Sequence, residues 1–184
     1  MFKYVMGAAV ALAVSTPAFA ADFTGPRVEA RIGWETPTVS GDGDVYKLGS
    51  AVSYGGEIGY DLKAGRNVTV GAYGSLEKSS VKDCAEGYCL GVDYNWQAGA
   101  RVGLGFGRAL GYVKLGYSNL KLNASVDEFS GNETKGGVGG GIGVDVNVGK
   151  RLYWGVEANY SDFGKIEGIN FQRRQVAAKV GVRF

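Results

Sequence analysis

The 184-residue chain has no histidine and only two cysteines. Without an imidazole, the usual base of envelope hydrolases and acyltransferases is missing. Cys84 and Cys89 alone fall short of the ligand set a tetrahedral zinc needs. No catalytic residue, cofactor or metal is therefore expected. An excess of one charge is also lacking, since 20 Lys and Arg stand against 18 Asp and Glu, interspersed along the chain. That balance excludes the basic stripe that tracks a nucleic-acid backbone. Glycine is plentiful at 32 residues, yet the run Gly136 to Gly143 does not fit G-x-G-x-x-G, and no helical pattern follows to receive a phosphate. Strand packing is the better account of that run.

Long hydrophobic stretches are nearly absent as well. The one clear case, Val5 to Val14, follows Lys3 and precedes the small-x-small triplet Ala18-Phe19-Ala20, the order of a secretory signal peptide. It is far shorter than the roughly 20 apolar residues a spanning helix needs. Residues 1–20 are read as a cleaved leader, and residues 21–184 as one domain. No cysteine follows the cleavage site, so a lipoprotein anchor has no attachment point.

What the mature segment has is period-two alternation, and nowhere the three-to-four spacing of an amphipathic helix beyond a turn or two. From Leu90 to Phe106 the even positions include Val92, Tyr94, Trp96, Ala98 and Val102, and the odd ones Asp93, Asn95, Gln97 and Arg101. Seven further segments repeat the pattern. In the first, Val28, Ala30, Ile32 and Trp34 oppose Arg27, Glu29, Arg31 and Glu35; in the last, Val176, Ala178, Val180, Val182 and Phe184 oppose Gln175, Lys179 and Arg183. Short turns at Lys63 to Asn67, Gly107 to Ala109 and Gly149 to Arg151 alternate with longer links, Thr36 to Gly49, Glu77 to Cys89, Asn119 to Lys135 and Asp162 to Asn170. Eight tilted strands with short turns at one end and long loops at the other predict an all-β, up-and-down antiparallel transmembrane barrel.

A soluble barrel alternates in the opposite sense, with the apolar face inside. Aromatics near strand ends on the apolar face (Trp34, Tyr54, Tyr60, Trp96, Phe106, Trp154, Tyr160) favour a lipid-facing exterior with interfacial girdles. The other face is rich in glycine and balanced in sign. Arg27, Arg31, Arg101, Lys114, Arg173, Lys179 and Arg183 are expected to meet Glu29, Glu35, Glu57, Asp61, Asp93, Asp145 and Glu157. Buried charges are tolerated when paired, so this set predicts a neutralising network filling a narrow lumen. Gly137, Gly139, Gly141 and Gly143 are expected to make room for its long side chains. Cys84 and Cys89, four residues apart in the second long loop of an exported chain, predict a loop disulfide. Lys165, Arg173 and Arg174 lie near the outer rim, where lipopolysaccharide phosphate competes with solvation and lumen pairing.

The central hairpin resembles that of the small proteobacterial outer-membrane barrels, the OmpA, OmpX and opacity-type family. It comprises Trp96, Arg101 and Gly103, a short turn, then Leu110-Gly111-Tyr112-Val113-Lys114-Leu115-Gly116. Glu157-Ala158-Asn159-Tyr160-Ser161-Asp162-Phe163-Gly164 resembles the family's penultimate strand. Val180-Gly181-Val182-Arg183-Phe184 resembles its C-terminal signal for the barrel-assembly machinery, with Val180, Val182 and Phe184 as the alternate apolar and terminal aromatic positions. The resemblance implies residence in the outer membrane and partners among membrane lipid, lipopolysaccharide and that machinery. It carries over no catalytic residue and no peptidoglycan-binding domain. Two roles are expected from this reading: a structural or surface-interaction barrel acting through its long loops, or a narrow porin-like channel for small solutes.

Overall fold

The computed structural model describes residues 23–184, apart from 42–43, 48–49, 81, 86–87, 127–128 and 167–168. The predicted leader and Lys3 lie outside them. Among the described residues there are ten strands: β1 (Gly25–Gly41), β2 (Asp44–Lys47), β3 (Ala51–Lys63), β4 (Val68–Ser79), β5 (Lys82–Ala85), β6 (Tyr88–Phe106), β7 (Ala109–Val126), β8 (Phe129–Asn147), β9 (Leu152–Ile166) and β10 (Ile169–Arg183). Eight of these form the wall, in the order β1-β3-β4-β6-β7-β8-β9-β10, and β10 pairs back onto β1. The result is a closed, eight-stranded antiparallel barrel of meander topology. β2 and β5 are short additions, paired to β1 and β6 at the loop end.

Alternation in the sequence becomes inside and outside in the wall because successive side chains of a strand point to opposite faces. Arg27, Glu29, Arg31 and Glu35 are buried, whereas Val28, Ile32 and Trp34 between them are more than half exposed. The core of this protein is thus the charged lumen, and its apolar side chains face outward, as a lipid solvent requires.

The turns between β3 and β4, β6 and β7, and β8 and β9 are tight. Gly107 has a φ of +60° at the first position of the two-residue β6–β7 turn, the conformation a primed hairpin turn demands. Register neighbours followed from Thr36 run through Arg174, Tyr160, Gly140, Leu115, Ala100, Ala72 and Tyr60, and return to β1 at Pro26, ten residues from the start. For eight strands that stagger implies a tilt of about 40°. A path that starts at the long-loop rim therefore ends at the short-turn rim.

The long links are not loops for most of their length. β7 and β8 stay paired up to Val126 and Phe129, while β9 and β10 stay paired up to Ile166 and Ile169. The expected boundaries at Glu77, Asn119 and Asp162 are corrected accordingly, because ladder hydrogen bonds continue past the point where the apolar alternation fades. Pairing of β1 with β3 ends at Glu35 and Ala51, and that of β8 with β9 at Val138 and Asp162. Beyond those points the wall continues as two ribbons, β9-β10-β1-β2 and β5-β6-β7-β8. Just past the last β8–β9 pair, the Gly164 amide donates to Asp162 Oδ1 at 2.9 Å, and Gly164 takes a φ of +73°, turning β9 away from β8.

Candidate functional site

Fourteen charged side chains are buried in the lumen among the described residues, seven cations and seven anions. Their ion pairs form one connected set. Near the loop end Arg173 Nε donates to Glu35 at 2.6 Å and Nη2 to Glu77 at 2.7 Å. Arg31 links this group to the centre, reaching Glu77 at 2.9 Å, Glu57 at 2.6 Å, and Glu157. Glu57 also accepts from Arg27 at 2.7 Å and Lys114 at 3.1 Å, and Lys114 reaches Glu157 at 2.6 Å. Lower down, Lys179 joins Glu29 at 3.2 Å and Asp145 at 2.9 Å. Arg101 Nε donates to Asp61 at 2.8 Å, and Arg183 lies 3.8 Å from both Asp61 and Asp145.

This arrangement follows from strand register. β1 carries Arg27, Glu29, Arg31 and Glu35 on one face, and β3 presents Glu57 and Asp61 beside them. Every buried carboxylate except Glu35, whose one cation is Arg173, is thereby offered more than one cation, which offsets the several kcal/mol that desolvating a lone charge costs. Tyrosines complete the filling: the Tyr153 hydroxyl donates to Glu29 at 2.7 Å and the Tyr112 hydroxyl to Glu157. The Arg101 guanidinium lies 4.9 Å and the Lys179 ammonium 4.5 Å from the Tyr112 ring centroid. The short-turn mouth is capped by Phe23, buried with its ring 5.5 Å from the Arg183 guanidinium.

Small residues are needed where these side chains cross the wall. A Cβ on Gly59 falls 2.6 Å from Arg27 Nη2, and one on Gly71 collides with the Asp61 carboxylate. The glycines of β8 serve a different set from the ionic one expected of them: Gly139 faces Gln97 and Ser161, Gly141 faces Asn159, Gly143 faces the Tyr112 hydroxyl, and Gly137 abuts the β9 backbone.

Thirteen of the fourteen residues assigned to the lumen from sequence are buried there. The other, Asp93, falls where the β6–β7 register slips between Val92 and Tyr94, and its side chain lies outside the described residues. Glu77, assigned to a loop, occupies the lumen because β4 extends to Ser79. The signal was available, since Glu77 continues the inward odd series Thr69, Tyr73, Ser75. Tyr112 and Tyr153 were missed in the same way, each two residues from a glycine or charge on the inward face. Arg173 points inward, Arg174 outward, and the Lys165 side chain is outside the described residues.

The aromatics on the outer face divide between two levels. Tyr60, Phe106, Trp154 and Phe184 stand near the short turns, and Trp34, Tyr54, Trp96 and Tyr160 toward the loop end, where Tyr94 and Tyr117 join them; all are exposed. Val180 is exposed on the same face, and Val182 half-buried. The Phe184 amide donates to Pro26 O at 2.9 Å, closing the final strand on β1. Cys84 and Cys89 are register partners in the β5–β6 hairpin, their side chains lying outside the described residues.

Similarity to known proteins agrees with this geometry. The attachment invasion locus protein Ail of Yersinia pestis, crystallised with the heparin analogue sucrose octasulfate, superposes with a TM-score of 0.56 at 16% identity, over 85% of this chain and 99% of its own. Neisserial surface protein A gives 0.56 at 17% identity, over 85% and 97%. At these identities the likeness concerns the fold. Comparison with curated protein sequences gives no match. Residues 6–184 match the model of the outer membrane protein beta-barrel domain, and the chain belongs to that family of outer-membrane barrels.

Proposed function

We propose that the protein is a non-enzymatic, surface-acting barrel that serves envelope integrity or adhesion through the ribbons rising from its outer rim. The observation that carries this reading is the contrast between the two parts of the molecule. The lumen is filled by one connected set of fourteen charges, whereas β6, β7 and β8 run to 18 or 19 residues, well beyond the roughly 9 to 11 needed to cross a bilayer. Backbone beyond the membrane serves neither closure nor spanning. It is the part free to contact another surface.

In this account residues 1–20 direct export and are removed, the barrel-assembly machinery reads the terminal strand ending at Phe184, and outer-membrane lipid and lipopolysaccharide surround the wall. Cys84 and Cys89 form a disulfide across the β5–β6 hairpin. Their direct opposition in register supports it, since opposed residues of an antiparallel pair lie within disulfide reach. A conducting role requires the lumen network to open, and eight strands leave an interior just wide enough for side chains.

The test is to shorten the β7–β8 ribbon to a tight turn at the membrane level. The attachment of cells bearing the protein to a heparin-coated surface and their leakage of a periplasmic dye are then measured. Loss of attachment or increased leakage, with the barrel still folded, supports the reading. Unchanged behaviour in both assays overturns it.

A further inference from the structure

The lipid-facing wall is interrupted by two troughs, of about 680 Å³ and 350 Å³, where small residues break the rows of large apolar side chains. In the first, Gly140 and Ala158 form the floor, flanked by Trp34, Tyr160, Ile142 and Val113. In the second, Gly56, Gly74 and Ala98 form the floor, flanked by Ile58, Leu76 and Trp96. A Cβ on Gly74 meets nothing within 4 Å, so the second trough is open at that position.

Because the wall is staggered, both troughs run obliquely across the membrane level. The neighbours Thr36, Arg174, Tyr160, Gly140 and Leu115 descend from the outer rim toward the middle of the wall. Ala30, Gly56, Leu76 and Trp96 climb from the middle to the outer aromatic level. An exposed cation stands at the upper end of each. Arg174 lines the first trough, with Tyr160 as its register partner. Lys78 lies two residues beyond Leu76 on the same face, its ammonium 5.5 Å from the Tyr94 ring centroid and Tyr54 its partner on β3.

Among the described residues neither cation has a carboxylate partner within ion-pair distance. Asp162, an acidic neighbour near Arg174, accepts from the Gly164 amide at 2.9 Å and the Tyr160 hydroxyl at 3.5 Å. The two sites lie on opposite sides of the barrel, on β9–β10 and on β4.

A cation at the outer interface, aromatic neighbours that favour that interface, and an apolar trough running inward from it suit one ligand chemistry. The phosphate of a lipid head group pairs strongly with an incompletely hydrated cation, and an acyl chain in the trough covers apolar surface that the wall leaves uneven. We infer that Arg174 and Lys78 each anchor a phosphorylated glycolipid of the outer leaflet, with one acyl chain lying in the trough beneath. The inference rests on the proposed placement of the ribbon end at the cell surface, and it specifies the lipopolysaccharide contact named there.

Native mass spectrometry of the folded mature barrel, titrated with diphosphoryl lipid A, tests it. Two lipids per barrel are expected, and in Arg174→Ala or Lys78→Ala one of the two should bind about tenfold more weakly while the other keeps wild-type affinity. The double variant should bind about tenfold more weakly, as loss of a charge-assisted contact implies. Gly74→Phe, which fills the second trough, should remove one lipid while leaving both cations in place. Heat-dependent migration on a gel checks that each variant is folded. Wild-type affinity in the double variant overturns the inference, as does equal affinity for phosphatidylglycerol or for lipid A stripped of phosphate. A barrel that folds and inserts but binds no lipid A overturns this inference alone. Cell-surface labelling that finds the ribbons facing the periplasm overturns the placement on which it rests.

Discussion

Arg31 reaches Glu77 at 2.9 Å inside the barrel, and this contact is the one ion pair among the described residues that joins the outer group, Glu35, Glu77 and Arg173, to the rest of the lumen. Two strands not adjacent in the wall, β1 and β4, are thereby tied across the interior.

Glu77→Ala should therefore cost about 3 kcal/mol, the scale for leaving buried charge unpaired, because it removes a partner from both Arg31 and Arg173. Equilibrium urea unfolding in lipid vesicles measures it. Replacing Arg31 and Glu77 together by Met and Leu should restore part of the loss, since no charge is then stranded. A single variant as stable as wild type contradicts the linking role.

Gly59 and Gly71 permit Arg27 and Asp61 to lie against the wall. Gly59→Leu should fail to fold to the compact, heat-modifiable form, because the side chain competes with a buried guanidinium that contacts three carboxylates. Gly74→Leu, placed on the open lipid face, should fold normally. Gel migration with and without heating separates the two, and equal folding of both variants contradicts the packing argument.

The fold was legible to an unusual degree because a barrel wall enforces strict alternation: one slip of register turns a charge into lipid. For the same reason thirteen of the charges that alternation alone places on the inward face are buried in the structure. Alternation stops assigning a face where it loses its apolar half. Above the membrane both faces meet water, so strands β7 and β8 carry polar residues on either side and read as loops. Glu77 fell on that boundary. Asp93 lies at a register slip, where period two no longer assigns a face. Which cation meets which anion was not readable at all, since partners such as Arg173 and Glu35 are 138 residues apart in sequence and meet only through barrel closure.

The cysteine pair lies in a hairpin outside the wall. Thiol titration of the unfolded, unreduced protein should find no free thiol. Cys84→Ser with Cys89→Ser should shift the urea midpoint by less than the equivalent of about 1 kcal/mol, because the closed loop is small. Protease cleavage in the β5–β6 hairpin should become faster. Two titratable thiols in the oxidised protein contradict the pairing.

Phe184 directly follows β10, which closes on β1, and its amide donates to Pro26 O, while its ring is exposed on the lipid-facing side. Phe184→Ala keeps the amide and removes the ring. It should lower the amount assembled in the membrane severalfold in cells, while the refolded protein in detergent keeps nearly wild-type stability. An equal defect in both settings assigns the ring to stability instead of assembly.

Single-channel conductance of the refolded mature protein in a planar bilayer is the most direct test of the central claim, that the lumen is closed by its own charges and that function lies at the outer rim. A folded, inserted wild-type barrel should be silent. Glu57→Ala, which takes one partner each from Arg27, Arg31 and Lys114, and Arg101→Ala, which takes one partner each from Asp61 and Asp145, should each raise conductance. Steady discrete openings of the wild-type protein, or no change in either variant, would contradict the account.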